Sequence, residues 1–60
     1  MKKIRVMLVE DQAIVREGLA AIFTYQEEIE VVGQAKDGIE AVEMLEKAKP
    51  DVILLDLNMP

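Results

Sequence analysis

Three carboxylate side chains stand where two short apolar segments of this sequence end. Glu10 and Asp11 follow the segment IRVMLV, residues 4–9, and Asp56 follows DVILL, residues 51–55. Carboxylates at such positions can act as nucleophiles, bind a divalent cation or cap a following helix. The choice among these roles depends on whether the fold brings the two segment ends together.

Strand-like and helix-like segments alternate along the first half of the chain. Residues 4–9 are nearly all apolar and rich in β-branched side chains, which is typical of a strand buried on both faces. Asp11 or Gln12 opens a predicted helix that runs to residue 25, with Arg16 and Glu17 outside its apolar stripe. The stripe consists of Ile14, Val15, Gly18, Leu19, Ile22 and Phe23.

The second half repeats this alternation. Residues 29–35 predict a strand at a sheet edge, and the segment that follows has clear helix signals: Asp37 as N-cap, Glu40 three residues on, and Pro50 as a stop. Residues 51–55 predict the third strand. The second helix is expected to turn Ile39, Val42 and Leu45 to the core, with Ala41 and Ala48 beside them.

The element order βαβαβ predicts an α/β fold with a three-stranded parallel sheet. If the first strand is central, the right-handed crossovers give the order 2-1-3 with one helix on each face, the start of a doubly wound fold. The first and third strands are then about 4.8 Å apart. Glu10, Asp11 and Asp56 therefore converge at the edge where such sheets bind ligands.

Three converging carboxylates repel one another, and nothing in these loops supplies a positive charge. A bound Mg²⁺ would offset this repulsion, because the ion prefers one or two carboxylates plus water and leaves positions open for phosphate oxygens. The structural alternative also stays open at this point. Asp11 could be only a helix cap or turn former, and the same holds, with less weight, for Asp56.

Composition excludes several classes of protein. Twelve acids against seven bases give a net charge of −5 over 60 residues, which argues against nucleic-acid binding. There is no Cys or His, so a zinc site of the Cys/His type is excluded. No segment has the roughly 18 apolar residues of a membrane span. We therefore expect a cytoplasmic protein that binds neither membrane nor nucleic acid.

Three separated segments resemble one known family: VEDQAIVREGL, VVGQAKDGIEAVE and DVILLDLNMP. They look like the receiver domain of two-component response regulators. In sequence they most resemble the subfamily with a helix-turn-helix DNA-binding output domain. The resemblance implies a flavodoxin-like fold in which Asp56 accepts a phosphoryl group from a sensor histidine kinase. It also implies that Mg²⁺ is held by Glu10, Asp11, Asp56 and the backbone carbonyl of Asn58.

The family has five βα units, whereas residues 1–60 match two units and the third strand. The Ser or Thr after the family's fourth strand and the Lys after its fifth have no counterpart here. We therefore expect a partial receiver domain with weak Mg²⁺ binding, impaired phosphorylation and no independent enzymatic turnover. The uncovered edge of the apolar third strand predicts a homo-oligomer.

Two alternatives remain at the level of sequence. One is an inactive half-domain that only self-assembles through the third strand. The other, more remote, is a phosphatase of the haloacid dehalogenase type, which also uses an Asp nucleophile and magnesium. That family has Asp-x-Asp after its first strand, whereas here Asp56 follows the third strand and Asn58 stands two residues on.

Overall fold

The computed structural model describes residues 2–55. Its three strands are parallel and lie in the order β2-β1-β3, so the predicted fold class and strand order are confirmed. No helix within residues 2–55 is long and apolar enough to cross a membrane. The elements along the chain are β1 (Ile4–Val9), α1 (Ala13–Thr24), β2 (Ile29–Ala35), α2 (Gly38–Ala48) and β3 (Val52–Leu55).

The central strand β1 forms the core of the sheet. Met7 and Leu8 are fully buried, and Val6 and Val9 nearly so. Successive side chains of a strand point to opposite faces. Met7 and Val9 pack in the cluster that contains the buried alanines of α2, and the alternate pair, Val6 and Leu8, belongs to the other face. Both helices contact β1 and β2, and this alternation fits the predicted arrangement of one helix on each face.

The face that α2 turns to the sheet is only partly the predicted one: Ala41 and Ala48 are buried as expected, whereas Leu45, predicted to face the core, is exposed. The buried residues of α2 are Ala41 and Ala48, with Met44 partly buried between them. Ile39 is 75% exposed and Val42 is 68% exposed, so the prediction that they face the core was wrong. Small side chains let the helix lie close to the sheet, where a Cβ added at Gly33 would be 3.6 Å from the Ala48 Cβ.

The face of α1 differs in the same way. Four of the six residues of the predicted apolar stripe are exposed: Ile14, Val15, Gly18 and Ile22. Most of that stripe therefore points away from the sheet. The side of α1 that is partly covered consists of Arg16, Leu19, Ala20 and Phe23, which follow the i, i+3, i+4, i+7 spacing of one helix face. Arg16, predicted to lie outside the stripe, is therefore on the covered side.

The ends of α2 follow the predicted signals. The Asp37 carboxylate accepts the Glu40 backbone N–H at 2.8 Å, so Asp37 is the N-cap. The Glu40 carboxylate accepts the Lys36 N–H at 3.0 Å, one residue before the N-cap N–H that a capping box uses. At the other end Lys49 takes a left-handed conformation, φ 47°, directly before Pro50.

Arg5 on β1 ties the end of α2 and the start of β3 to the central strand. Its guanidinium donates to the Ala48 carbonyl at 2.5 Å and to the Lys49 carbonyl at 3.2 Å. Its backbone N–H donates to the Asp51 carboxylate at 2.9 Å, and the Asp51 N–H donates to the Arg5 carbonyl at 2.7 Å. These bonds fix the register in which β3 runs beside β1.

Gly18, in the middle of α1, offers a test of helix stability. A Cβ added there meets nothing within 4 Å, so Gly18→Ala creates no clash. We expect the free energy of unfolding to rise by about 0.5–1 kcal/mol, because alanine loses less backbone entropy in a helix than glycine. Urea denaturation followed by circular dichroism measures this change. Ala21→Gly, at an exposed position of the same helix, should lower stability by a similar amount. A destabilised Gly18→Ala variant would mean that another surface packs against this side of α1.

Candidate functional site

Two neighbouring strands end together at one edge of the sheet. β1 and β3 are parallel, and Val9 pairs with Leu55. In the sequence Glu10 follows Val9 and Asp56 follows Leu55. Residues 56–60, which include Asp56 and Asn58, lie outside the described residues. The structure therefore describes the Glu10 and Asp11 side of the predicted site. On the other side it describes the chain up to Leu55, the residue before Asp56.

Glu10 is buried at this edge, with 3% of its surface exposed. Its backbone N–H donates to the Ala35 carbonyl of β2 at 3.0 Å. Its carboxylate oxygen Oε2 accepts the Gln12 N–H at 2.8 Å. Gln12 is the N-cap of α1 but makes no side-chain capping bond, so the Glu10 carboxylate supplies an acceptor at the start of this helix.

Asp11 lies between Glu10 and the first residue of α1, and its side chain is exposed. Of the two residues predicted to open the helix, Gln12 is the one that does so. The alternative in which Asp11 serves only as the N-cap is therefore wrong. An exposed carboxylate beside a buried one at a strand end is available to a ligand that approaches from solvent.

Arg16 is the residue at this edge that the sequence analysis missed. Its Nη1 donates to the Glu10 carbonyl at 2.7 Å. The sequence analysis looked for a positive charge in the loops alone, whereas Arg16 brings one to this edge from helix α1. Side chains of a helix cover the turn that precedes their own Cα. A long cation in the first turn of α1 could have been predicted from this to reach back over the strand end.

The chemistry of the described donors fits Mg²⁺. The ion is bound in proteins by one or two carboxylates together with water and substrate oxygens. Glu10 and Asp11 supply two carboxylates, and an ionised carboxylate has about four lone-pair positions for hydrogen bonds and metal ligation. No group of three or more acidic residues that could hold a metal occurs within residues 2–55. The predicted third carboxylate is that of Asp56, which is not among them.

Comparison with known families decides what this chain is. The family model described as the response regulator receiver domain matches residues 6–60. The chain belongs to the response regulator receiver family. The resemblance carried by the three sequence segments is thus confirmed, and membership of this family leaves the phosphatase alternative without support.

Proteins of different kinds contain a segment similar to this chain. The chain is 51% identical over 59 residues to a protein-glutamate methylesterase/protein-glutamine glutaminase of Pyrococcus abyssi, covering 98% of this chain and 16% of that protein. It is 47% identical over 58 residues to the transcriptional regulatory protein DegU of Brevibacillus brevis, covering 97% of this chain and 25% of DegU. The chain thus spans a quarter or less of these two curated relatives.

A solved structure shows the same receiver architecture. The response regulator domain of Thermotoga maritima CheB superposes with a TM-score of 0.87 at 49% identity. The match covers 98% of this chain and 44% of the CheB domain. The β2-β1-β3 sheet with its two helices is therefore a part of the receiver fold.

Proposed function

We propose that this chain is the phosphoacceptor part of a two-component receiver, with Asp56 as the acceptor. One observation carries the proposal. Val9 and Leu55 are paired in neighbouring parallel strands, and the sequence continues from them into Glu10 and Asp56. This register supports a site in which the acidic pair after β1 serves an acceptor after β3.

In the proposed reaction an oxygen of the Asp56 carboxylate attacks the phosphorus of a phosphodonor. A new O–P bond forms, the bond from phosphorus to the donor breaks, and the donor leaves with that electron pair. The natural donor is a phosphohistidine of a sensor histidine kinase. When bound, Mg²⁺ would neutralise charge on the phosphoryl oxygens. Glu10, Asp11, Asp56 and the Asn58 carbonyl would hold it.

The proposal assigns the chain no catalytic turnover of its own. The methylesterase of Pyrococcus abyssi is matched over 16% of its length, and DegU over 25%. Any output activity, including DNA binding, would then reside in the parts of such proteins that this chain does not match. For this segment we propose a cytoplasmic location and no direct contact with nucleic acid.

Intact mass after incubation with Mg²⁺ and a small acyl phosphate tests the proposal. We expect the wild-type chain to gain the mass of one phosphoryl group, slowly, because the 60 residues lack the family's phosphate-contacting hydroxyl and lysine. Asp56→Asn should gain none, since an amide is not a nucleophile of this kind. Asp37→Asn is the matched control: asparagine also caps helices well, so the fold and the mass gain should persist.

The result that would contradict the proposal for this chain is a folded wild type that gains no mass. The same applies to a gain that survives in Asp56→Asn, because the phosphoryl group would then be on another residue. Loss of the gain in Asp37→Asn as well would trace the effect to folding and not to the acceptor.

A second candidate, self-assembly without signalling, is favoured by the exposure of β3. All four of its side chains are apolar, and each is 40–50% exposed. Within residues 2–55, β3 is bonded to β1 alone. An exposed apolar edge strand pairs readily with another chain. Light scattering of the 60-residue chain over a range of concentrations tests this candidate, and a monomer throughout would dismiss it.

A further inference from the structure

Arg16 contacts the candidate site, but the proposed phosphoacceptor function gives this contact no role. It lies in the first turns of α1 and is half-buried, whereas its neighbour Glu17 is exposed. Its guanidinium reaches back to the Glu10 carbonyl, with Nη1 and O 2.7 Å apart. The backbone N–H of Arg16 also donates to the Gln12 carbonyl at 2.9 Å. One residue therefore holds both ends of the turn that contains Asp11.

This contact is one of several bonds that hold Glu10. Its N–H is bonded to β2 through Ala35, its carboxylate to the helix start through Gln12, and its carbonyl to the side chain of Arg16. One bond comes from β2 and two come from the start of α1. The turn between β1 and α1 is thus held from both elements, and Asp11 is the exposed residue between the fixed ones.

We propose that Arg16 is a positioning residue for divalent-cation binding at Glu10 and Asp11, and this rests on the proposed function. The planar guanidinium holds the Glu10 carbonyl, and with it the backbone from which the Asp11 carboxylate projects. Without Arg16, the carbonyl loses the guanidinium donor and the turn relaxes. The direction of the Asp11 carboxylate is then no longer fixed.

The charge of Arg16 makes the direction of the expected change in metal affinity informative. A cation beside the acidic pair repels Mg²⁺, so a residue that acted only through its charge would weaken metal binding. Removing it would then tighten binding. A positioning residue has the opposite effect, since partners that orient metal ligands contribute about 10–100-fold in affinity. The two roles therefore predict changes in opposite directions.

Mn²⁺ titration of the 60-residue chain, followed by water-proton relaxation, separates the two roles. We expect Arg16→Met to weaken Mn²⁺ binding about tenfold, the low end of that range. Arg16→Lys should recover part of the affinity, because lysine keeps a donor but lacks the planar fork. Glu17→Gln, at the exposed neighbouring position, should bind nearly as the wild type does. Unchanged or tighter binding by Arg16→Met would overturn the proposal.

Hydrogen exchange of the Gln12 amide without metal gives an independent readout. This N–H donates to the Glu10 carboxylate, so we expect faster exchange in Arg16→Met, with amides in β1 close to their wild-type rates. Unchanged exchange would contradict a positioning role. If the wild type binds no Mn²⁺, the cation site proposed above fails and Arg16 has no role towards it. Faster exchange in that case would still establish Arg16 as the residue that fixes the turn.

Discussion

Met7→Ala is expected to remove a large part of the folding stability of the 60-residue chain at 25 °C. Met7 is fully buried at the centre of the sheet, against Gly33 and the buried face of α2. Truncating a buried methionine to alanine costs about 2–5 kcal/mol. At about 0.05–0.15 kcal/mol per residue, a chain of this size has roughly 3–9 kcal/mol in total. Urea denaturation followed by circular dichroism should therefore show a midpoint far below that of the wild type.

Ile39→Ala is the matched control, because it removes an apolar side chain of similar size from α2. Ile39 is exposed, and surface substitutions are usually within about 0.5 kcal/mol of neutral. We expect its urea midpoint to stay close to that of the wild type. If Met7→Ala unfolded with a wild-type midpoint, the core assigned to β1 would be wrong. A large loss in Ile39→Ala would instead show that the outer face of α2 is covered in solution.

The elements of this fold were predictable because local signals and periodicity agree. The strand bounds predicted for β1 and β2 are those observed, and Asp37 caps α2 as predicted. The nearly continuous apolar run of β1 indicated a central strand, and the more polar β2 lies at an edge. With β1 central the order β2-β1-β3 follows, and the right-handed crossovers then place the two helices on opposite faces.

The faces of the helices were not predictable in the same way. Both helices have more apolar residues than one sheet face can cover, so periodicity does not single out the buried side. In α2 the covered side is the one with small side chains, Ala41 and Ala48, because these allow close packing at Gly33. Larger apolar residues such as Ile39 were wrongly given priority because of their size.

At the site, the sequence predicted which residues share a sheet edge but not how they are held. Glu10 and Asp11 lie at the end of β1, as expected. The bond from Arg16 to the Glu10 carbonyl depends on the rotation of α1 against the sheet, which the predicted apolar stripe had set wrongly. The error about the helix face and the missed arginine therefore have one cause.

The second large effect is expected at the exposed edge strand. From their pairing with Met7 and Leu8, Ile53 belongs to the face of β3 on the α2 side and Leu54 to the opposite face. Each is less than half exposed, yet neither belongs to the buried core. Burying the part of such a side chain that is still exposed contributes about 0.6–1.4 kcal/mol, or roughly 3–10-fold in the dissociation constant.

Ile53→Lys and Leu54→Lys should therefore shift a self-associated chain to monomer by at least about threefold in dissociation constant, because a lysine on an edge strand opposes pairing. Sedimentation equilibrium measures the shift. Gln34→Lys places the same charge on β2, at the opposite edge of the same sheet, and should leave association unchanged.

If Gln34→Lys also dissociated the assembly, net charge and not β3 would be responsible. If Ile53→Lys alone dissociated it, the interface would lie on the α2 face of β3, whereas equal effects of both lysines would indicate edge-to-edge pairing of the strand itself.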